Sequence, residues 1–228
     1  MKKVAIIWDI DGTLLSTGGA GVIPFENAVS DIVGHSINLD RRLNSGLTDF
    51  NIAQRLLDEA QFENSDLTLV ETILHKYVLS LQNALLVQPA KPLGNIVEVL
   101  NACSQHEEIL SFIGTGNFGP GAEAKLSSAN LARFFRPNYI YSSSVIAPER
   151  HQILLNARNA IPDGFIGIVV GDSPHDVVAS RRVGLRVICT PTGQHTYEEL
   201  AENEPDALLS LNWKFPDLMT CVEEVLKQ

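Results

Sequence analysis

The sequence predicts an α/β protein: a Rossmann-like parallel sheet with helices on both faces, carrying an inserted all-helical module. Three observations predict it. Short, unbroken apolar runs recur along the chain, the pattern of strands buried on both faces. Segments with apolar residues three and four apart alternate with them. From about residue 16 to residue 88 that alternation stops and only helical spacing remains.

The first strand is Val4 to Trp8, which runs straight into Asp9-Ile10-Asp11-Gly12-Thr13-Leu14. Three helices are expected next: Pro24 to Val33, Asp49 to Ala60, and Leu67 to Leu85 with Leu67, Val70, Leu74, Val78, Leu81 and Leu85 on one face. Glycine-rich residues 16–21 and proline-containing residues 88–92 flank them as linkers. The strand–helix rhythm then resumes. Pro92 to Cys103 reads as a helix, Ile109 to Ile113 as a strand, Ala122 to Phe134 as a helix and Tyr139 to Tyr141 as a strand. Pro148 to Ala160 is a helix with proline at its start, and Phe165 to Val170 a buried strand. Asp176 to Val183 is helical and closed by Gly184, and Arg186 to Thr190 is a last strand. The expected division is a core of residues 1–15 and 89–228 and a helical insert of residues 16–88.

Composition narrows the function classes. The 228 residues carry a net charge of −10, which opposes general nucleic-acid binding, since phosphate backbones need a basic surface. A single basic residue with a metal can still hold a small phosphorylated metabolite. The cysteines, Cys103, Cys189 and Cys221, are odd in number and far apart, as expected of reduced thiols in a cytoplasmic protein. The opening apolar run is too short for a signal peptide, and no segment reaches membrane-spanning length without charge. Oligomeric state is left open.

Asp9 and Asp11 pose the chemical question. Two like charges at a strand end repel, and each loses solvation if buried. Solvated turn aspartates are the plain explanation; a cation between them is the functional one. In open parallel sheets ligands bind at the carboxyl ends of strands. Three expected strands end in polar turns: Asp9 and Asp11, then Thr115-Gly116-Asn117, then Asp172 and Asp176. If these strands are neighbours, four carboxylates and a hydroxyl meet in one crevice. Carboxylate oxygens suit Mg²⁺, a hard ion that keeps waters and binds phosphates.

With these residues in place, the chain resembles the haloacid dehalogenase-like hydrolase superfamily, in its phosphatase branch. Asp9-Ile10-Asp11-Gly12-Thr13-Leu14 matches the first motif of that family, Thr115 the second, and Gly171-Asp172-Ser173-Pro174-His175-Asp176 the fourth. The helical insert stands where the family carries its cap, and Gly18 to Gly21 and Gly46 to Asp49 look like phosphoglycolate-phosphatase-like members. The third motif wants a basic residue near a helix start. Arg150 is preferred to Lys125, which falls mid-helix. The resemblance implies that Asp9 attacks phosphorus and forms an aspartyl-phosphate, and that Asp11 moves the proton. Thr115, the Gly116 amide and Arg150 would hold the phosphoryl oxygens. Asp9, Asp172 and the main-chain carbonyl of Asp11 would ligate Mg²⁺, with Asp176 a further ligand or a support. Asn117 is a turn former or an orienting residue. Phe25, Thr48 and Asp49 are candidate contacts from the insert. His175 is expected to be a loop histidine and Trp8 to point away from Asp9 into the core.

Other chemistries fit less well. Gly114 to Gly119 matches G-x-G-x-x-G, but no acid lies between Glu123 and Glu149 to hold a ribose, and no Walker lysine follows a glycine loop. Dehalogenases of the same superfamily lack the second acid, so Asp11 points to phosphate. A phosphonate hydrolase would need a cap lysine, and the insert has only Lys76, deep in its third helix. A phosphomutase would use the same residues, and a binding protein on this fold would usually have lost one of them.

Overall fold

The computed structural model describes residues 2–63 and 66–227. The termini of the expected core, residues 1 and 228, and positions 64 and 65 of the insert lie outside them. Strand β1 (Lys3–Trp8) is followed by β2 (Leu15–Ser16) and three helices, α1 (Val22–Val33), α2 (Asp49–Glu59) and α3 (Leu67–Val87). The chain then returns through β3 (Lys91–Pro92), α4 (Ile96–Gln105), β4 (Ile109–Phe118), α5 (Gly119–Ser128), β5 (Ile140–Ser143) and α6 (Arg150–Asn159). It ends with β6 (Phe165–Gly171), α7 (Pro174–Arg182), β7 (Arg186–Cys189), α8 (Tyr197–Ala201), β8 (Ala207–Leu208) and α9 (Phe215–Val225).

Six strands form one sheet in the order β5-β4-β1-β6-β7-β8, and every neighbouring pair is parallel. Strand β1 is central, and its alternation divides the interior in two. Val4, Ile6 and Trp8 join a core containing residues of α4, α5 and α9; Ala5 and Ile7 join a second containing residues of α6, α7 and α8. Trp8 stacks on Trp213 with ring centroids 6.3 Å apart, on the side opposite Asp9. At the linkers the chain pairs antiparallel, Ser16 with Lys91 and the core residue Leu15 with Pro92, so it leaves and re-enters the sheet layer side by side. Between them α1 packs on α3, and α3 lies against α5.

Several boundaries differ from the sequence reading, each for a local reason. Strand β4 continues through Thr115-Gly116-Asn117 to Phe118, with a register irregularity between Thr115 and Phe118. The helix expected over Ala122 to Phe134 begins at Gly119 and stops at Ser128, because Asn130 turns left-handed at φ 56°; Ala132–Phe134 forms a separate 3-10 turn. Pro92 pairs in β3 and Gly94 has φ 48°, so α4 starts only at Ile96. Glu149 caps α6, which therefore begins at Arg150. Tyr139 ends a 3-10 turn and is not in a strand.

Candidate active site

The strand order places the ends of β4, β1 and β6 beside one another. Asp9 and Asp11 follow β1, Thr115 to Asn117 belong to β4, and Asp172 follows β6. These residues line a cleft of about 350 Å³ whose opposite wall comes from the helices between β2 and β3, including Phe25, Asp49 and Tyr77. A crevice at the carboxyl ends of parallel strands is where such sheets hold ligands.

One side of the cleft is a carboxylate cluster. Asp9, Asp172 and Asp176 are buried, and each can bring one oxygen within 4.8 Å of the others. Arg150, 8% exposed, answers part of their charge: Nη2 lies 3.1 Å from Asp9 Oδ1, and Nη1 donates to Asp176 Oδ1 at 2.9 Å. Its Nε donates to the Gly46 carbonyl at 3.3 Å. Asp176 also accepts from the Ser173 amide and hydroxyl, which ties it to the start of α7. Thr13 donates to Asp172 Oδ1 at 3.1 Å. Gly12 has φ +84°, and a Cβ there would stand 2.6 Å from the Asp172 carboxyl carbon, so only glycine lets the loop after β1 approach Asp172. Burial pushes the Asp9 carboxyl up to about 7; Arg150 opposes that rise, and Asp176 and Asp11 add to it. Burial, then Asp9 and Asp176, likewise raise Asp172 well above the carboxylate range. One guanidinium is too little positive charge for three buried acids, and an all-oxygen anionic donor set of this kind suits a hard divalent cation.

The other side is built around Asp11. Its carboxylate is 41% exposed and outside the three-acid cluster. Lys125, 6% exposed, donates to Asp11 Oδ2 at 2.6 Å and also to Asn117 Oδ1. Asn117 Nδ2 donates to the same Asp11 oxygen at 2.7 Å and to Thr115 Oγ1 at 2.8 Å. Burial alone would lower the Lys125 ammonium, yet Asp11, Tyr77 and Asp49 outweigh it and raise its pKa. Thus Arg150 and Lys125 both enter the site, one against each aspartate of the first motif. A place within its helix does not keep Lys125 out of the site. Helical side chains lean toward the N-terminus, and a lysine stem spans about one turn, so Lys125 reaches back to the end of β4.

The helices between β2 and β3 meet the sheet through α2. Asp49 Oδ2 accepts from the Phe118 amide at 2.8 Å, Thr48 donates to the Pro148 carbonyl at 2.6 Å, and Asn51 donates to Glu149 at 3.0 Å. Burial pushes Asp49 up to about 6, against the pull of Lys125 and the Phe118 amide.

Comparison with known proteins agrees with this architecture. A family model described as haloacid dehalogenase-like hydrolase matches residues 6–190. The chain belongs to the haloacid dehalogenase-like hydrolases. A curated relative, the "Probable phosphatase IndB" of Dickeya dadantii (strain 3937), is 22% identical over 229 residues, which is 99% of this chain and 96% of the relative. A hydrolase from Pseudomonas syringae superposes with a TM-score of 0.71 at 18% identity, covering 97% of this chain and 99% of its own. CbbY from Rhodobacter sphaeroides, solved with phosphate, gives 0.69 at 21% identity over 91% of this chain and 93% of its own.

In this haloacid dehalogenase-like hydrolase, Asp9, Asp11, Thr115, Gly116, Asn117, Arg150 and Asp172 all line the cleft. Asp176 stands behind them and reaches it through Arg150. Of the candidate insert contacts, Phe25 and Asp49 are on the wall, whereas Thr48 caps α2. His175 is outside the lining; burial and Arg150 lower its pKa. Sequence reasoning missed Tyr77, Arg41 and the loop Thr192-Gly193-Gln194. Only the last had a signal, a Pro-Thr-Gly run directly after a strand. Among the described residues no helix is long and apolar enough to cross a membrane.

Proposed function

We propose that this hydrolase is a Mg²⁺-dependent phosphatase that cleaves a small phosphate monoester through an aspartyl-phosphate intermediate. The observation that carries the proposal is the unequal pair after β1. Asp9 is buried against Arg150 among further acids, while Asp11, two residues on, faces the cleft under Lys125 and Asn117. A nucleophile and a proton-transfer group need such different surroundings. The name of the curated relative, a probable phosphatase, and the phosphate in the CbbY complex support the same reading.

In this reading Asp9 attacks phosphorus and becomes the acyl phosphate. Asp11 gives a proton to the departing alcohol and later takes one from the water that frees Asp9. The Thr115 hydroxyl, the Gly116 amide and Arg150 hold the phosphoryl oxygens as charge shifts among them. Asp9, Asp172 and the Asp11 carbonyl would hold Mg²⁺, and Asp176 orients that cluster through Arg150 and Ser173. Bound Mg²⁺ would screen the phosphoryl charge from Asp9. Residues 16–88 act as a cap over a core of residues 1–15 and 89–228, and closure excludes water from the acyl phosphate. The substrate is a small phosphorylated metabolite, and three buried thiols suit a reducing, cytoplasmic setting.

The test is phosphate release from p-nitrophenyl phosphate and a panel of monoesters, with Mg²⁺, with EDTA and with Asp9→Asn. Mg²⁺-dependent release that disappears with EDTA and in the variant is expected. Silence of the folded, Mg²⁺-loaded wild type on every ester would sink the phosphatase reading.

A further inference from the structure

Lys125 is a buried cation that the mechanism above leaves without a task. Its ammonium meets Asp11 Oδ2 at 2.6 Å and Asn117 Oδ1, and Asn117 Nδ2 donates to that same Asp11 oxygen at 2.7 Å. Asn117 is itself fixed, because its backbone and side-chain nitrogens both donate to Thr115 Oγ1, at 3.2 and 2.8 Å. Two donors therefore converge on one oxygen of Asp11. Among the described residues its other oxygen, Oδ1, receives no hydrogen bond, while the carboxylate borders the cleft. A carboxylate held by one oxygen has lost its rotational freedom and presents the other in a set direction, which is what proton transfer at a defined atom needs. Arg150 cannot do this, since its guanidinium is committed to Asp9, Asp176 and Gly46.

We propose that Lys125 is the positioning residue for Asp11: with Asn117 it pins Oδ2 so that Oδ1 meets the bridging oxygen of the leaving alcohol. This rests on the phosphatase reading. As Asp9 bonds to phosphorus, the bond from phosphorus to the bridging oxygen breaks and its electron pair stays on that oxygen. The proton passes from Asp11 Oδ1 to the same oxygen, and the carboxylate left behind is neutralised by the Lys125 ammonium. In the second step Asp11 Oδ1 takes a proton from water, the water oxygen bonds to phosphorus, and the bond from phosphorus to the Asp9 oxygen breaks with its electron pair staying on Asp9, which restores the carboxylate.

Leaving groups separate this role from a structural one. p-Nitrophenolate departs without a proton, whereas an alkoxide needs one. The experiment measures kcat/KM of wild type and Lys125→Met for p-nitrophenyl phosphate and for simple alkyl phosphates. Lys125→Met should lose roughly tenfold or less on the aryl ester and ~10²-fold or more beyond that on the alkyl esters, the scale of general acid catalysis. The ratio between substrates does not depend on how much of the variant is folded. Lys125→Gln, which keeps an amide donor, repeats the comparison should Lys125→Met be recovered poorly. In the Asp11→Asn background, Lys125→Met should change that ratio no further. Equal losses on both ester classes would make Lys125 a structural cation and overturn the proposal while leaving the phosphatase intact. A wild type inactive on every ester would remove both.

Discussion

Asp49 carries a cost that a single side chain makes measurable. Its carboxyl lies in the seam between α2 and β4, where burial moves it from 3.8 to about 6. In the unfolded chain the proton leaves near pH 4, while the folded protein keeps it until about pH 6. Between those values the folded state binds more protons, so stability falls as pH rises and the penalty is complete above about 6. Asp49→Asn removes the charge and keeps an acceptor for the Phe118 amide. Relative to wild type, it should therefore gain stability steadily from pH 4 to 6 and level off. Two pKa units correspond to about 3 kcal/mol at most. Urea melts of both proteins at pH 4, 5, 6 and 7 test this, and parallel curves would refute it. Asp9 belongs to the same class of group, but there a bound cation would relieve the strain on the charge.

At the scale of elements, the contact that matters is α2 against the end of β4. Gly116 sits where a Cβ would come within 2.9 Å of the Leu47 carbonyl and 3.0 Å of the Thr48 Cα. Both are backbone atoms and cannot rotate aside. Gly116→Val should push the start of α2 away from the end of β4 and stretch the bonds from Thr48 to Pro148 and from Asp49 to Phe118. A misplacement near 1 Å can cost ~10²-fold in rate, so kcat/KM should drop by roughly tenfold or more. Circular dichroism should show intact secondary structure, because the sheet itself needs no space there. Wild-type kcat/KM in a folded Gly116→Val protein would mean that α2 need not lie this close during turnover.

For the whole molecule, a cation held by the acid cluster would link metal binding to stability. Asp9, Asp172 and Asp176 come from two strand ends and one helix, so only the folded chain assembles them. An ion that binds the folded state alone stabilises it by mass action, about 2.7 kcal/mol at 100 times its Kd. For a chain of this size that is a rise in Tm of roughly 5–10 °C. Mg²⁺ should produce this rise in wild type, EDTA should reverse it, and Asp172→Asn should abolish it. A Tm indifferent to Mg²⁺ from micromolar to ten millimolar would argue against the cluster as a cation site.

How much of this was legible beforehand follows from which forces act locally. The strands announced themselves, because a parallel strand covered on both faces must be apolar throughout, as Val4 to Trp8 and Phe165 to Val170 are. The acids were legible because carboxylates at the ends of such strands are costly unless they have a task. Arg150 was legible because it opens a helix. Helix ends were harder: that of α5 depended on Asn130 turning left-handed, a choice its sequence did not announce. What the sequence determined by itself was the alternation, the helical insert and the residues able to do chemistry. Only the tertiary structure decided which oxygen each cation meets, that Lys125 faces Asp11 while Arg150 faces Asp9, and that Tyr77 of α3 lines the cleft wall opposite the sheet. Spacing along a chain constrains neighbours within a turn or a strand. A contact between residues 114 positions apart, such as Lys125 with Asp11, is settled by how whole elements pack.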